Sequence, residues 1–79
     1  MPESKPHFDG PYGTKHVCHT WIKCWSEGRG RNKEVVVQIW YGQTNKPARK
    51  PDHDIGMPGI FDPISAINQA ILENPPPEV

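Results

Sequence analysis

Three features of the sequence predict an α+β fold: a small antiparallel sheet of two to three strands around a central hairpin, backed by one C-terminal helix. The first is a pair of β-rich runs at about 15–25 and 33–41, joined by Ser26-Glu27-Gly28-Arg29-Gly30-Arg31-Asn32. The second is Asp62-Pro63, which opens an apolar repeat at three- and four-residue spacing. The third is the chain's length. Seventy-nine residues suit one domain, and at this size a single core supplies only ~3–5 kcal/mol unless a partner, metal or disulfide assists. Oligomerisation is therefore a natural route to added stability.

The N-terminal segment 1–13 holds three prolines and two glycines, which predicts an extended arm. Phe8 and Tyr12 could pin its end as a short edge strand. The first hairpin run then carries Val17, Thr20, Trp21, Ile22 and Trp25, and the second is Val35-Val36-Val37-Gln38-Ile39-Trp40-Tyr41. Branched and aromatic side chains fit a pleated, half-buried surface, while Gly and Asn let the link turn. If Trp25 pairs with Lys33, Trp21 faces Val37 and His19 faces Ile39. One face then holds Val17, His19, Trp21, Val35, Val37, Ile39 and Tyr41. The other holds Cys18, Thr20, Ile22, Cys24, Val36, Gln38 and Trp40.

The segment 42–61 contains Asn45-Lys46-Pro47, Lys50-Pro51-Asp52 and Met57-Pro58-Gly59, three turn signals that predict a long loop. Structureless loops of that length are uncommon in compact domains. The segment is therefore functional, or Ile55-Gly56-Met57 packs against the hairpin. Asp62 is the expected helix N-cap, accepting from exposed N–H groups, with Pro63 at the first position. Phe61 would staple Ala66. Ile64, Ile67, Ala70 and Ile71 form the apolar stripe of a helix over about 63–73, and a Pro-rich tail, 74–79, ends it. Such a short helix needs the hairpin as support. It covers one sheet face, so the second would expose Ile22, Val36 and Trp40, a patch suited to a protein partner or a homodimer.

Net charge is zero but unevenly distributed. Between Lys5 and Lys50 nine bases oppose three acids, a net of +6; Glu3, Asp52, Asp54, Asp62, Glu73 and Glu78 make the remainder −6. Such asymmetry speaks to partners rather than fold. Arg29, Arg31 and Lys33 mark the hairpin tip, and Lys46, Arg49 and Lys50 the loop after it. Together they are the candidate nucleic-acid contacts, since a two-stranded ribbon fits the major groove and Arg can follow phosphates. With about four to six phosphate contacts, affinity would fall steeply with salt.

Catalytic and metal chemistry finds less footing. His16-Val17-Cys18-His19 on a strand sends His19 opposite to His16 and Cys18, so at most two ligands converge. Neither histidine is placed to activate the Cys18 thiol. Asp52-His53-Asp54 lacks a third ligand or a shaped pocket. Ser4, Ser26 and Ser65 lie outside any nucleophile elbow, and Gly28-Arg29-Gly30-Arg31 lacks the ending of a phosphate-binding loop. Cys18 and Cys24 on one strand would lie ~20 Å apart, too far for a bridge. The expectation is a non-enzymatic protein with no cofactor, metal or small-molecule substrate. It would also be cytoplasmic, without a signal peptide or a membrane-spanning segment.

The order of parts, with Trp21 and Trp25 in one strand, Trp40-Tyr41-Gly42 ending the next, and Gly59-Ile60-Phe61-Asp62 leading into the helix, resembles a known pattern over about 12–72. It is similar to the three-stranded-sheet-plus-helix DNA-binding domains of plant ethylene-response factors and phage integrase arms. That resemblance implies a sheet reading the major groove. The long 42–59 link and the missing Arg-rich strand faces depart from the pattern. Two functions follow from the sequence: a nucleic-acid-binding module working through the basic tip and loop, or a protein–protein inhibitor or adaptor of the small phage or mobile-element kind, acting through Ile22, Val36 and Trp40.

Overall fold

The computed structural model describes residues 7–12, 19–28, 30–60 and 62–75. Four strands form one antiparallel sheet in sequence order: β1 (Phe8–Tyr12), β2 (Thr20–Glu27), β3 (Glu34–Tyr41) and β4 (His53–Pro58). Helix α1 (Pro63–Glu73) packs on β2 and β3. The α+β class and the central hairpin stand as expected. The strand count of two to three is corrected to four.

Both extra strands pair at the margins. The arm's Phe8 and Tyr12 bound β1, with Phe8 opposite Cys24 and Tyr12 opposite Thr20. The expected 42–61 loop is interrupted by β4, where Ile55, Gly56 and Met57 lie opposite Val37, Val36 and Val35. The link between β3 and β4 therefore shrinks to residues 42–52. Asp, Gly and Pro make β4 a poor strand by composition, so its pairing with β3 supplies what local preference does not. Pro11 and Pro58 fall on the two outer strands, where a missing N–H is tolerated.

The hairpin register differs from the expected one by three residues. Trp25 lies opposite Val36 rather than Lys33, and Trp21 opposite Trp40 rather than Val37. The cause is where the chain turns: Ser26 and Glu27 stay in β2, and the link moves to residues 28–33, with a 3-10 turn at Gly30–Asn32. Because directly opposed residues share a face, an odd shift exchanges the partners. Ile22 and Cys24 now join Val35, Val37, Ile39 and Met57 beneath the helix, against Ala66, Ile67 and Ala70. Ile22 is fully buried. Its expected place beside Val36 and Trp40 on the open face is thus corrected, because those two lie on the opposite side of the sheet. Trp21 likewise moves from the expected core face to the open one.

Gly28 makes the link possible. Its φ is 89°, and a Cβ there would run into the backbone carbonyl of Asn32. Gly28→Ala should cost about 1–3 kcal/mol, the range for a side chain forced into such a conformation. A lower urea midpoint with an unchanged slope is the expected measurement.

The helix bounds match the sequence reading. Asp62 is extended and Pro63 opens the helix, but the Asp62 carboxylate accepts from Ser65 Oγ at 2.9 Å rather than from a backbone N–H. The proposed staple residue Phe61 lies outside the described residues. Ala66, Ile67 and Ala70 are buried, whereas Ile64 is 69% exposed and leaves the expected stripe. At the far end Asn74 N donates to Ala70 O, and Asn74 O accepts from Tyr41 Oη at 2.6 Å, which ties the helix terminus to β3. No helix among the described residues is long and apolar enough to cross a membrane.

Candidate functional site

With the helix on one side, the other side of the sheet is faced by Trp21, Lys23 and Trp25 of β2, Val36, Gln38 and Trp40 of β3, Asp9 of β1 and Asp54 of β4. The register pairs Asp9 with Lys23, Lys23 with Gln38, and Gln38 with Asp54. A row of polar side chains thus crosses all four strands. Along β2 the alternation is different: aromatic, cation, aromatic, each ~7 Å from the next. Trp21, Lys23 and Trp25 are all half-buried, so each presents part of its side chain to solvent.

The indole N–H groups are occupied within the chain. Trp21 Nε1 donates to Asp9 Oδ1 at 2.7 Å, and Trp25 Nε1 to Glu27 Oε1 at 2.9 Å. Trp40 Nε1 donates to Arg49 O at 2.7 Å. The first two bonds anchor the edges of their rings. Lys23 Nζ lies 5.9 Å from the centre of the Trp25 ring, within cation–π range. Trp40 differs: the 42–52 link folds back over it and leaves it 7% exposed, and Val36 is 6% exposed. Of the expected protein-interface set Ile22, Val36 and Trp40, one residue is in the core and two are covered by their own chain.

The folded-back link is held by Arg49 and Asp52. Arg49 Nη1 and Nη2 donate to the two Asp52 carboxylate oxygens at 3.2 Å each, and Nη2 also reaches Tyr41 O at 2.9 Å. Asp52 Oδ2 accepts from Tyr41 N at 2.8 Å. The Arg49 hydrogen bonds, followed by the Tyr41 N–H, hold the Asp52 carboxyl below its ordinary value. Burial, reinforced by Asp52's negative charge, raises the Tyr41 phenol. A carboxylate with a depressed pKa stabilises the fold fully above its unfolded-state value of about 3.9, and that stability is lost as pH falls through the lower folded value. Both side chains are well exposed, so the effect is modest. Asp52→Asn should cost about 0.5–1 kcal/mol at neutral pH, and the gap from wild type should close below about pH 4. Urea titrations across that range measure it.

The five described residues of the expected phosphate-contact set do not form one patch. Arg31 and Lys33 are exposed at the tip beyond β3's start, while Lys46, Arg49 and Lys50 are exposed beyond its end. The whole of β3, about 23 Å long, lies between the two groups in sequence, although the link folds back and brings Lys46 toward Gln38. Arg29 lies outside the described residues. Arg49 is engaged in closing the link, whereas Lys46 reaches the open face and there borders a cleft. Trp21, Trp40 and Pro47 form the apolar part of that cleft, and Asp9, Lys23, Gln38 and Lys46 the polar part. Its volume is about 100 Å³, open to solvent on one side.

Residues considered for chemistry stay apart. Among the described residues no three His, Cys, Asp or Glu side chains are grouped to hold a metal ion. His53 packs edge-on against Tyr41 at 5.4 Å, Asp54 accepts from Gln38 Nε2 at 3.1 Å, and Asp52 serves the link. The compact sequence triplet thus diverges in space. Cys24 is fully buried, and burial raises its thiol pKa, which disfavours a reactive thiolate. His16 and Cys18 lie outside the described residues.

Sequence reasoning missed Trp21, Lys23, Trp25, Asp9 and Gln38 as a group. The signal was present: Lys23 in β2 and Gln38 in β3 each mark the wet side of their strand. Matching wet side to wet side would have brought Trp21 and Trp25 outward. No protein-family model matches this chain, and no curated protein or solved structure is similar to it at a significant level.

Proposed function

We propose that the protein is a non-enzymatic binding module for single-stranded nucleic acid, with the strand lying along β2 on the open face. The observation that carries this reading is the Trp21–Lys23–Trp25 alternation on a sheet face the helix leaves uncovered. Single strands are held by aromatic side chains on which bases stack and by cations that follow the backbone. Lys46 and Lys50 extend the track at one end; Arg31 and Lys33 extend it at the other. The 23 Å span suits roughly four nucleotides, the low end of such sites.

A duplex fits less well. The outer strands of a four-stranded sheet are ~14 Å apart before side chains are added, against a major groove about 12 Å wide. Asp9, Glu27 and Asp54 share the face with Lys23, so stacking rather than net charge supplies most of the affinity. Three to four phosphate contacts give a log–log salt slope of about −2 to −3 on a single strand.

Tryptophan fluorescence tests this. Short single-stranded homopolymers should quench the emission partially, because Trp40 is covered, with that shallow slope and with weaker binding of the matching duplex. No quenching by any DNA or RNA strand at low salt would overturn the proposal. A protein partner, or a second copy of the chain, is the competing reading. Half-buried tryptophans such as Trp21 and Trp25 also anchor protein interfaces. A molecular mass that doubles with concentration, and reverts in Trp25→Ala, would favour it.

A further inference from the structure

The cleft beside Trp21 adds a specificity the stripe itself lacks. Resting on the single-strand reading, we infer that it seats one base of the strand and selects a base that presents an amino group, cytosine over uracil. At about 100 Å³ it is well below the size of an enclosed ligand pocket, so it takes the polar edge of one base while the rest of the ring stays outside. Trp21 and Pro47 offer apolar surface to a flat ring. Lys23 and Lys46 offer positive charge to the adjoining phosphate.

The hydrogen-bonding groups decide the preference. Ionised Asp9 can only accept. Its Oδ1 holds Trp21 Nε1, which fixes the carboxylate, and Oδ2 has no partner among the described residues. Gln38 is oriented by chemistry rather than by appearance: the Asp54 carboxylate is an acceptor, so the amide nitrogen must face it. That leaves Gln38 Oε1 as a second acceptor. Against one donor, the second Gln38 Nε2 hydrogen, these two residues thus leave two acceptors, the Asp9 carboxylate Oδ2 and Gln38 Oε1. The cytosine 4-amino group donates to such atoms, and a carboxylate accepting from it is a known base contact. Uracil places a carbonyl oxygen at the same position, and two acceptors repel.

Short oligocytidine and oligouridine share one backbone and differ in that base edge, so they make a matched pair of probes. Fluorescence anisotropy should show oligocytidine bound about tenfold more tightly by the wild type. Asp9→Asn keeps an acceptor for Trp21 Nε1 but loses the charge and gains a donor. It should bring the two affinities within about twofold, largely through better oligouridine binding. Equal wild-type affinities would overturn the inference and leave the stacking platform standing. A preference that survives Asp9→Asn would overturn it as well. Failure of both strands to bind would remove the platform and the inference together.

Discussion

Replacing Trp21 and Trp25 together with alanine is expected to weaken single-strand binding by at least about 30-fold. Base–aromatic stacking contributes ~1–3 kcal/mol per base, so two platforms supply ~2–6 kcal/mol. Neither ring belongs to the helix-side core, which consists of Ile22, Cys24, Val35, Val37, Ile39, Met57, Ala66, Ile67 and Ala70. The double variant should therefore keep a cooperative unfolding transition while losing affinity. Both properties can be read on one sample, by anisotropy and by urea titration.

The matching experiment at the tip gives this prediction its edge. Arg31→Ala with Lys33→Ala removes two exposed cations that hold no structural bond among the described residues. Each phosphate left without its cation should lower the salt slope by about 0.7, so the slope flattens by about 1.4 and affinity near ~0.15 M salt falls by roughly 15-fold, less than in the aromatic variant. If the tip variant binds more weakly than the aromatic one, charge rather than stacking carries binding, and the interface returns to the hairpin tip. The two variants share no residue, and the indoles of Trp21 and Trp25 bond to Asp9 and Glu27 rather than to the tip cations, so the two outcomes are separable.

How much of this is legible in the sequence varies with how local the signal is. The helix is readable to the residue because Asp62-Pro63 and Asn74-Pro75 punctuate it within the chain itself. Strand β3 announces itself through three consecutive valines. Strand β4 does not, because His53, Asp54, Gly56 and Pro58 read as loop and become strand only by pairing with β3. The register is hidden for a related reason. The link reads as Ser26–Asn32, whereas Ser26 and Glu27 pair with Val35 and Glu34 and the turn falls at residues 28–33. One odd shift then moves Trp21 outward and Ile22 inward, and the candidate interface moves with them. The basic residues are identifiable by type, but the sequence does not say that the tip and the 42–52 link lie at opposite ends of a strand. Arg49's commitment to Asp52 and Tyr41 depends on a chain reversal that only the fold provides.

Ile22→Ala tests that shift directly. On the open face, truncating Ile22 would change stability by no more than the roughly ±0.5 kcal/mol typical of surface positions. Fully buried under the helix, it should instead cost about 2–5 kcal/mol, the lost transfer energy plus a cavity against Ala66, Ile67 and Ala70. That range is close to the ~3–5 kcal/mol such a small core supplies in total. The variant should therefore be largely unfolded at room temperature, with far-UV dichroism depleted even without urea. Ile64→Ala is the control, because Ile64 has the same chemistry but is 69% exposed and should stay within about ±0.5 kcal/mol of wild type. Similar behaviour of the two variants would place Ile22 outside the core. The pairing of Trp25 with Lys33 would then be the true one, Trp21 would turn inward, and the aromatic stripe would no longer exist as a surface.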